Sequence, residues 1–121
     1  MAVGRADAAR RCRRWALSGG PEADDLIEVD DQIYVYLNGD KKYGDKDDTA
    51  GPVAPVRFRA NRGDRLRIIA KDVEAPCYQL KRLYIHCVRG RGQSRRLTSG
   101  VAEDCGNALP KGEFFNEVYT I

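Results

Sequence analysis

Carboxylates gather at three places in this chain: Asp30 with Asp31, Asp45 with Asp47 and Asp48, and Asp72 with Glu74. Closely spaced acids suit a hard divalent cation, because calcium takes about six to eight oxygen ligands and tolerates irregular geometry. Asp72 and Glu74 follow the alternating segment RLRIIA, so this D-x-E pair is expected at the tip of a strand, where two carboxylates can converge on one ion. None of the clusters has the spacing of an EF-hand loop. Arginines form a second group. Arg57 and Arg59 alternate with apolar residues in PVRFRA, as do Arg65 and Arg67 in RLRIIA. A period of two places them opposite the apolar side of a strand. Guanidinium forks there suit phosphate or carboxylate groups.

Other chemistries find less support. His86, the single histidine, stands beside Cys87 in LYIHCV, and neighbours in a strand point to opposite faces, so the two form no Cys–His pair. Ser18, Ser94 and Ser99 are read as loop residues with no second histidine to act as base. No enzyme activity is expected. Cys12, Cys77, Cys87 and Cys105 show no zinc-binding spacing. Cys87 reads as a buried thiol, and Cys77 and Cys105 as loop residues able to bridge. No secretory signal is evident, so the reduced state is expected.

The net charge of +3 hides segregation. Residues 1–20 carry five Arg against Asp7, whereas residues 21–48 carry ten acids against three Lys. Residues 49–100 then carry twelve Lys or Arg against three acids. Acidic blocks on this scale argue against a nucleic-acid-binding domain and for a polarised surface. No apolar run approaches the roughly 20 residues that span a bilayer as a helix.

The elements that must hold these groups are short strands. Ile33, Val35 and Leu37 alternate with Tyr34 and Tyr36 before an Asn38-Gly39-Asp40 turn. VRFRA and RLRIIA are expected to pair as a hairpin through Asn61–Asp64, with Phe58 opposite Ile68 and Arg59 opposite Arg67, so that all four arginines share one face. LKRLYIHCV and GEFFNEVYTI supply further strands, the latter with Phe115, Val118 and Ile121 as apolar candidates. Upstream, residues 5–17 place Ala8, Ala9, Cys12, Trp15 and Ala16 on one stripe, so residues 1–20 are read as a short helix or a basic arm. Residues 21–121, with six to eight short strands, form the expected β-sandwich domain.

DDQIYVYLNGDKK followed by PVRFRA and GDRLRIIAKDVE resembles the middle of a C2 domain, over roughly residues 30–85. The resemblance implies an all-β, antiparallel β-sandwich with calcium loops at one end. It assigns Asp30 or Asp31 to the first-loop acid and Asp72 with Glu74 to the third-loop pair. This chain departs from the pattern in having D-x-E for D-x-D and no later third-loop acid between Ala75 and Leu80.

These readings together imply a non-catalytic binding module, calcium-dependent through Asp30, Asp31, Asp72 and Glu74. It would engage an anionic lipid headgroup or acidic protein surface through Arg57, Arg59, Arg65 and Arg67. The expected location is cytoplasmic, at a membrane periphery. The competing readings are a metal-free structural or protein-interaction sandwich and a calcium-dependent carbohydrate-binding module using Tyr34, Tyr36 and Tyr43.

Overall fold

In the computed structural model, which describes residues 12–44, 51–73, 77–88, 93–102 and 112–121, the segment RWALS is a strand, β1 (Arg14–Ser18). This overturns the helical reading of its residues. A stripe of Ala, Cys and Trp fits a helix, but Trp15 and Leu17 against Arg14, Ala16 and Ser18 fits a strand equally well. Pairing on both sides decides between them, since tertiary context overrides weak propensity. β1 lies between two antiparallel neighbours, and Ala16, Leu17 and Ser18 are fully buried.

Eleven more strands follow: β2 (Ile27–Asp30), β3 (Gln32–Leu37), β4 (Asp40–Gly44), β5 (Gly51–Val53), β6 (Val56–Arg59), β7 (Arg65–Asp72), β8 (Gln79–Leu80), β9 (Leu83–Cys87), β10 (Ser94–Thr98), β11 (Val101–Ala102) and β12 (Gly112–Thr120). They form three four-stranded antiparallel sheets with orders β10-β9-β1-β6, β11-β8-β2-β5 and β12-β7-β3-β4. The described residues contain no helix. The first two sheets repeat one order, because β5 runs on into β6, β8 into β9 and β10 into β11. The architecture is all-β and sandwich-like, with one apolar core shared by that pair of sheets and the third. Leu17, Ile27, Phe58, Leu80 and Ile85 meet Ile33, Val35, Leu66, Ile68 and Phe115 there.

β1 and β2 occupy the same place in the repeated order. Leu17 pairs with Val56 and Ile27 with Val53, so ten residues pass on this side while three pass on the neighbour. On the other flank Ser18 pairs with Tyr84 and Val29 with Leu80, eleven residues against four. Both neighbours thus register the same seven extra residues. β1 and β2 are one strand interrupted by residues 19–26, eight residues that stand where each neighbour has one. The Gly19 amide donates to Asp25 O at 3.0 Å and closes the loop, and a Cβ at Gly19 would collide with the Leu26 carbonyl oxygen.

The expected hairpin between VRFRA and RLRIIA does not form. β6 pairs with β1, while β7 lies between β3 and β12. Facing sheets bring two apolar sides together just as a hairpin would, so alternation alone cannot distinguish them. Residues 60–64 cross between sheets instead. Ala60 N donates to Arg13 O at 2.9 Å, and Gly63 N, at positive φ, donates to Ile121 O at 2.8 Å. The Asn38-Gly39 turn is found as expected, both residues at positive φ between β3 and β4. In β12 Phe115 is buried, but Val118 opposes Arg67 and is exposed, because the strand's irregularity falls between Glu113 and Phe115.

Cys87 is not a free thiol. It is bonded to Cys12 with the Cα atoms 6.0 Å apart, and Cys77 is disulfide-bonded as well. The 75 residues between Cys12 and Cys87 conceal this proximity, which pairing of β1 with β9 creates. Replacing Cys12 and Cys87 together with Ala is expected to lower stability by about 2–4 kcal/mol, the usual range for a bridge closing a long loop. Urea unfolding checks this as a lower midpoint with a steeper slope, because the unfolded chain freed of the cross-link exposes more surface.

Candidate functional site

The junction of β2, β3 and β7 collects three of the four proposed metal ligands. Asp30 ends β2, Asp31 stands between β2 and β3, and Asp72 ends β7. Asp31 is 7% exposed and Asp72 1%. The backbone explains the convergence: Asp31 N donates to Lys71 O at 3.2 Å, and Val73 N donates to Asp31 Oδ2 at 2.7 Å. Asp31 therefore caps the end of β7. A hydrogen bond with Asp31, then burial, then the charges of Asp31 and Asp72 push Asp30 up to about 6 from an ordinary 3.8. Asp30 and Asp31 in effect share a proton. Glu74 and the cluster Asp45, Asp47 and Asp48 lie outside the described residues. Among the described residues no three His, Cys, Asp or Glu side chains stand in a metal-holding group.

The four predicted anion-binding arginines do not share a face. Arg57 and Arg59 project from β6, and Arg65 and Arg67 from β7, on different sheets and away from the common core. Arg67 donates to Asn116 Oδ1 at 2.7 Å. Arg57 pairs with Asp24 at 3.0 Å, with both side chains largely in solvent. The face of β6 has an additional member that the helical reading hid. Arg14 stands directly across from Arg59, and Ala16 across from Arg57. A strand reading of RWALS would have found it. Arg14, Arg57 and Arg59 line a groove of about 410 Å³ with Trp15, Phe58 and Val88.

Two further groupings sort out differently from expectation. Tyr34 and Tyr36 lie on the outer side of the third sheet, with Lys71 Nζ 4.7 Å from the Tyr34 ring centre, whereas Tyr43 packs against the core. Ser18, in a strand rather than a loop, has its Oγ 2.7 Å from His86 Nε2, and both are buried. His86 Nε2 also lies 3.1 Å from Gly20 O, an acceptor only, so this nitrogen carries the proton. Ser18 then accepts from His86, and its single hydroxyl proton is shared between Gly20 O at 2.9 Å and Glu22 O at 3.0 Å. His86 does not serve Ser18 as a base in this arrangement. The network fastens residues 19–26 to the sheet. The two residues are 68 positions apart and carried no local signal.

No helix among the described residues is long and apolar enough to cross a membrane. Comparison with protein families, with curated proteins and with solved structures finds no match to this chain.

The raised pKa of Asp30 has a definite sign. Between about 3.8 and 6 the folded chain binds more protons than the unfolded one, so stability declines as pH rises through that window and levels off above it. Asp30→Asn is expected to flatten this decline and raise the melting temperature at neutral pH. An unaltered profile of melting temperature against pH in the variant would refute the coupling.

Proposed function

We propose that this chain is a non-catalytic, C2-like binding module that engages anionic lipid headgroups through Arg14, Arg57 and Arg59. One observation carries the reading. Arg14 and Arg59 are exposed and directly opposite each other, and neither has a carboxylate partner among the described residues. Like charges in that position are destabilising, and a headgroup phosphate between two guanidinium forks offsets the cost. Asp24 occupies Arg57, but an ion pair this exposed contributes only about 0–1 kcal/mol and yields readily to a stronger anion.

The calcium-dependent form of the proposal rests on the convergence of Asp30, Asp31 and Asp72, whose mutual repulsion a divalent cation would relieve. The metal-free form is favoured by the use of Asp31 Oδ2 as a cap on Val73 N. Disulfides at Cys12, Cys77 and Cys87 favour an oxidising compartment over the cytoplasm. Replacing Arg14 and Arg59 with Gln is expected to weaken binding to phosphatidylserine vesicles about tenfold and to reduce its salt dependence. Equal binding by the variant, or none by the unaltered chain, removes the lipid reading. Polyglutamate retained in place of vesicles would point to an acidic protein surface. Millimolar calcium separates the two forms: it raises the melting temperature only if the native state binds the ion.

A further inference from the structure

Beside the edge strand β10, between Arg62 of the 60–64 connection and Ile121, lies a cavity of about 180 Å³. Its floor is apolar, built from Trp15, Ile85 and Ile121, and its rim carries Arg62, Arg95 and Gln93. Arg95 opposes Ile85 in the β9–β10 pair and so lies on the core-facing side of its sheet. No side-chain carboxylate among the described residues lines the cavity.

We propose that this cavity is a binding site for a small aromatic carboxylate. Size sets the first limit, since an apolar cavity of roughly 150 Å³ accepts a benzene-sized molecule. Charge sets the second, because two guanidinium groups beside an apolar floor favour a ligand with an acidic head and a flat apolar body. The aromatic wall is already in place: Trp15 Nε1 donates to Cys12 O at 3.1 Å and to Ala60 O at 3.2 Å, which anchors the indole before any ligand arrives. Arg95 is partly held, donating to Thr120 O at 3.1 Å, while Arg62 makes no ion pair among the described residues. A cation on an edge strand also discourages edge-to-edge pairing, and that purpose would account for Arg95, whose side chain is exposed. It does not account for Arg62, which comes from the connection between β6 and β7. The site shares Trp15 with the Arg14–Arg59 groove but none of that groove's arginines, and it does not depend on that reading.

Trp15 is the only tryptophan in the chain, so its emission reports on this cavity and on the adjoining groove, and the Arg62 variants below tell the two apart. Benzoate, with about nine non-hydrogen atoms, is expected to shift Trp15 emission saturably with a dissociation constant of about a millimolar. Benzyl alcohol and benzylamine share the ring but lack the carboxylate, and they are expected to bind about tenfold or more weakly, the size of one charge-assisted hydrogen bond. Arg62→Gln, an exposed substitution, is expected to weaken benzoate several-fold with no change in melting temperature, and Arg62→Lys to restore part of the loss. Equal responses to benzoate and benzyl alcohol would overturn the proposal. So would a titration with no saturable shift, or an Arg62→Gln chain that binds benzoate as well as the original.

Discussion

Backbone pairing along the interrupted strand β1–β2 governs the positions of nearly every group with chemistry in this protein. It is hydrogen-bonded on both flanks, to β5–β6 on one side and β8–β9 on the other. The shared displacement of seven residues means that neither flank can slip alone. A slip by one residue would turn Leu17, Ile27 and Val29 out of the core and Arg14 into it. The same pairing places Cys12 beside Cys87, Ser18 beside His86 and Arg14 opposite Arg59. One register therefore determines the covalent link, the buried polar network and the basic groove.

Electrostatics is divided along the same lines. At the end of β7 the chain needs an acceptor for Val73 N, and Asp31 supplies it from the junction of β2 and β3. The consequence falls on Asp30, which must sit close to Asp31 and Asp72 and holds its proton to about 6. The cluster is thus a structural cap first. Its excess negative charge is what remains when three carboxylates share one junction. The arginines follow a different rule. They alternate with core residues on two sheets whose apolar sides must face each other, so their charges are forced outward on separate surfaces. No single face could gather all four.

Alternation in the sequence made β3 and β7 legible, and Asn38-Gly39 marked its turn, because each depends only on neighbours along the chain. Pairing partners were not legible. Phe58 and Ile68 reach the same core whether their strands form a hairpin or face each other across a sandwich, and the side-chain pattern is identical in the two cases. β1 was missed for a related reason: a five-residue segment satisfies a helical stripe and a strand alternation at once. The approach of Asp72 to Asp30 and Asp31 came from resemblance to C2 domains, and the pairing of Gln32 with Lys71 supplies the physical cause. The Cys12–Cys87 bond and the Ser18–His86 contact span 75 and 68 residues and leave no trace in local spacing.

The looped-out residues 19–26 tie these strands of argument together. A strand buried on both faces needs cover on its outer side, and small residues there, Ala16 and Ser18, leave room for the chain to fold back. His86 donates to Ser18 and lies close to the Gly20 carbonyl, while the one Ser18 proton is shared between the carbonyls of Gly20 and Glu22, so the excursion is met by polar partners at the point of contact. Asp25 turns back to receive the Glu22 amide at 2.9 Å, which leaves Asp24 outside to meet Arg57. The basic groove is consequently asymmetric. Arg57 has a carboxylate supplied by the fold, whereas Arg14 and Arg59, farther along the same strands, lie beyond the excursion's reach. The unbalanced charge on this face is concentrated where β1 and β6 begin and end together, at the pair that no acid of the described residues neutralises.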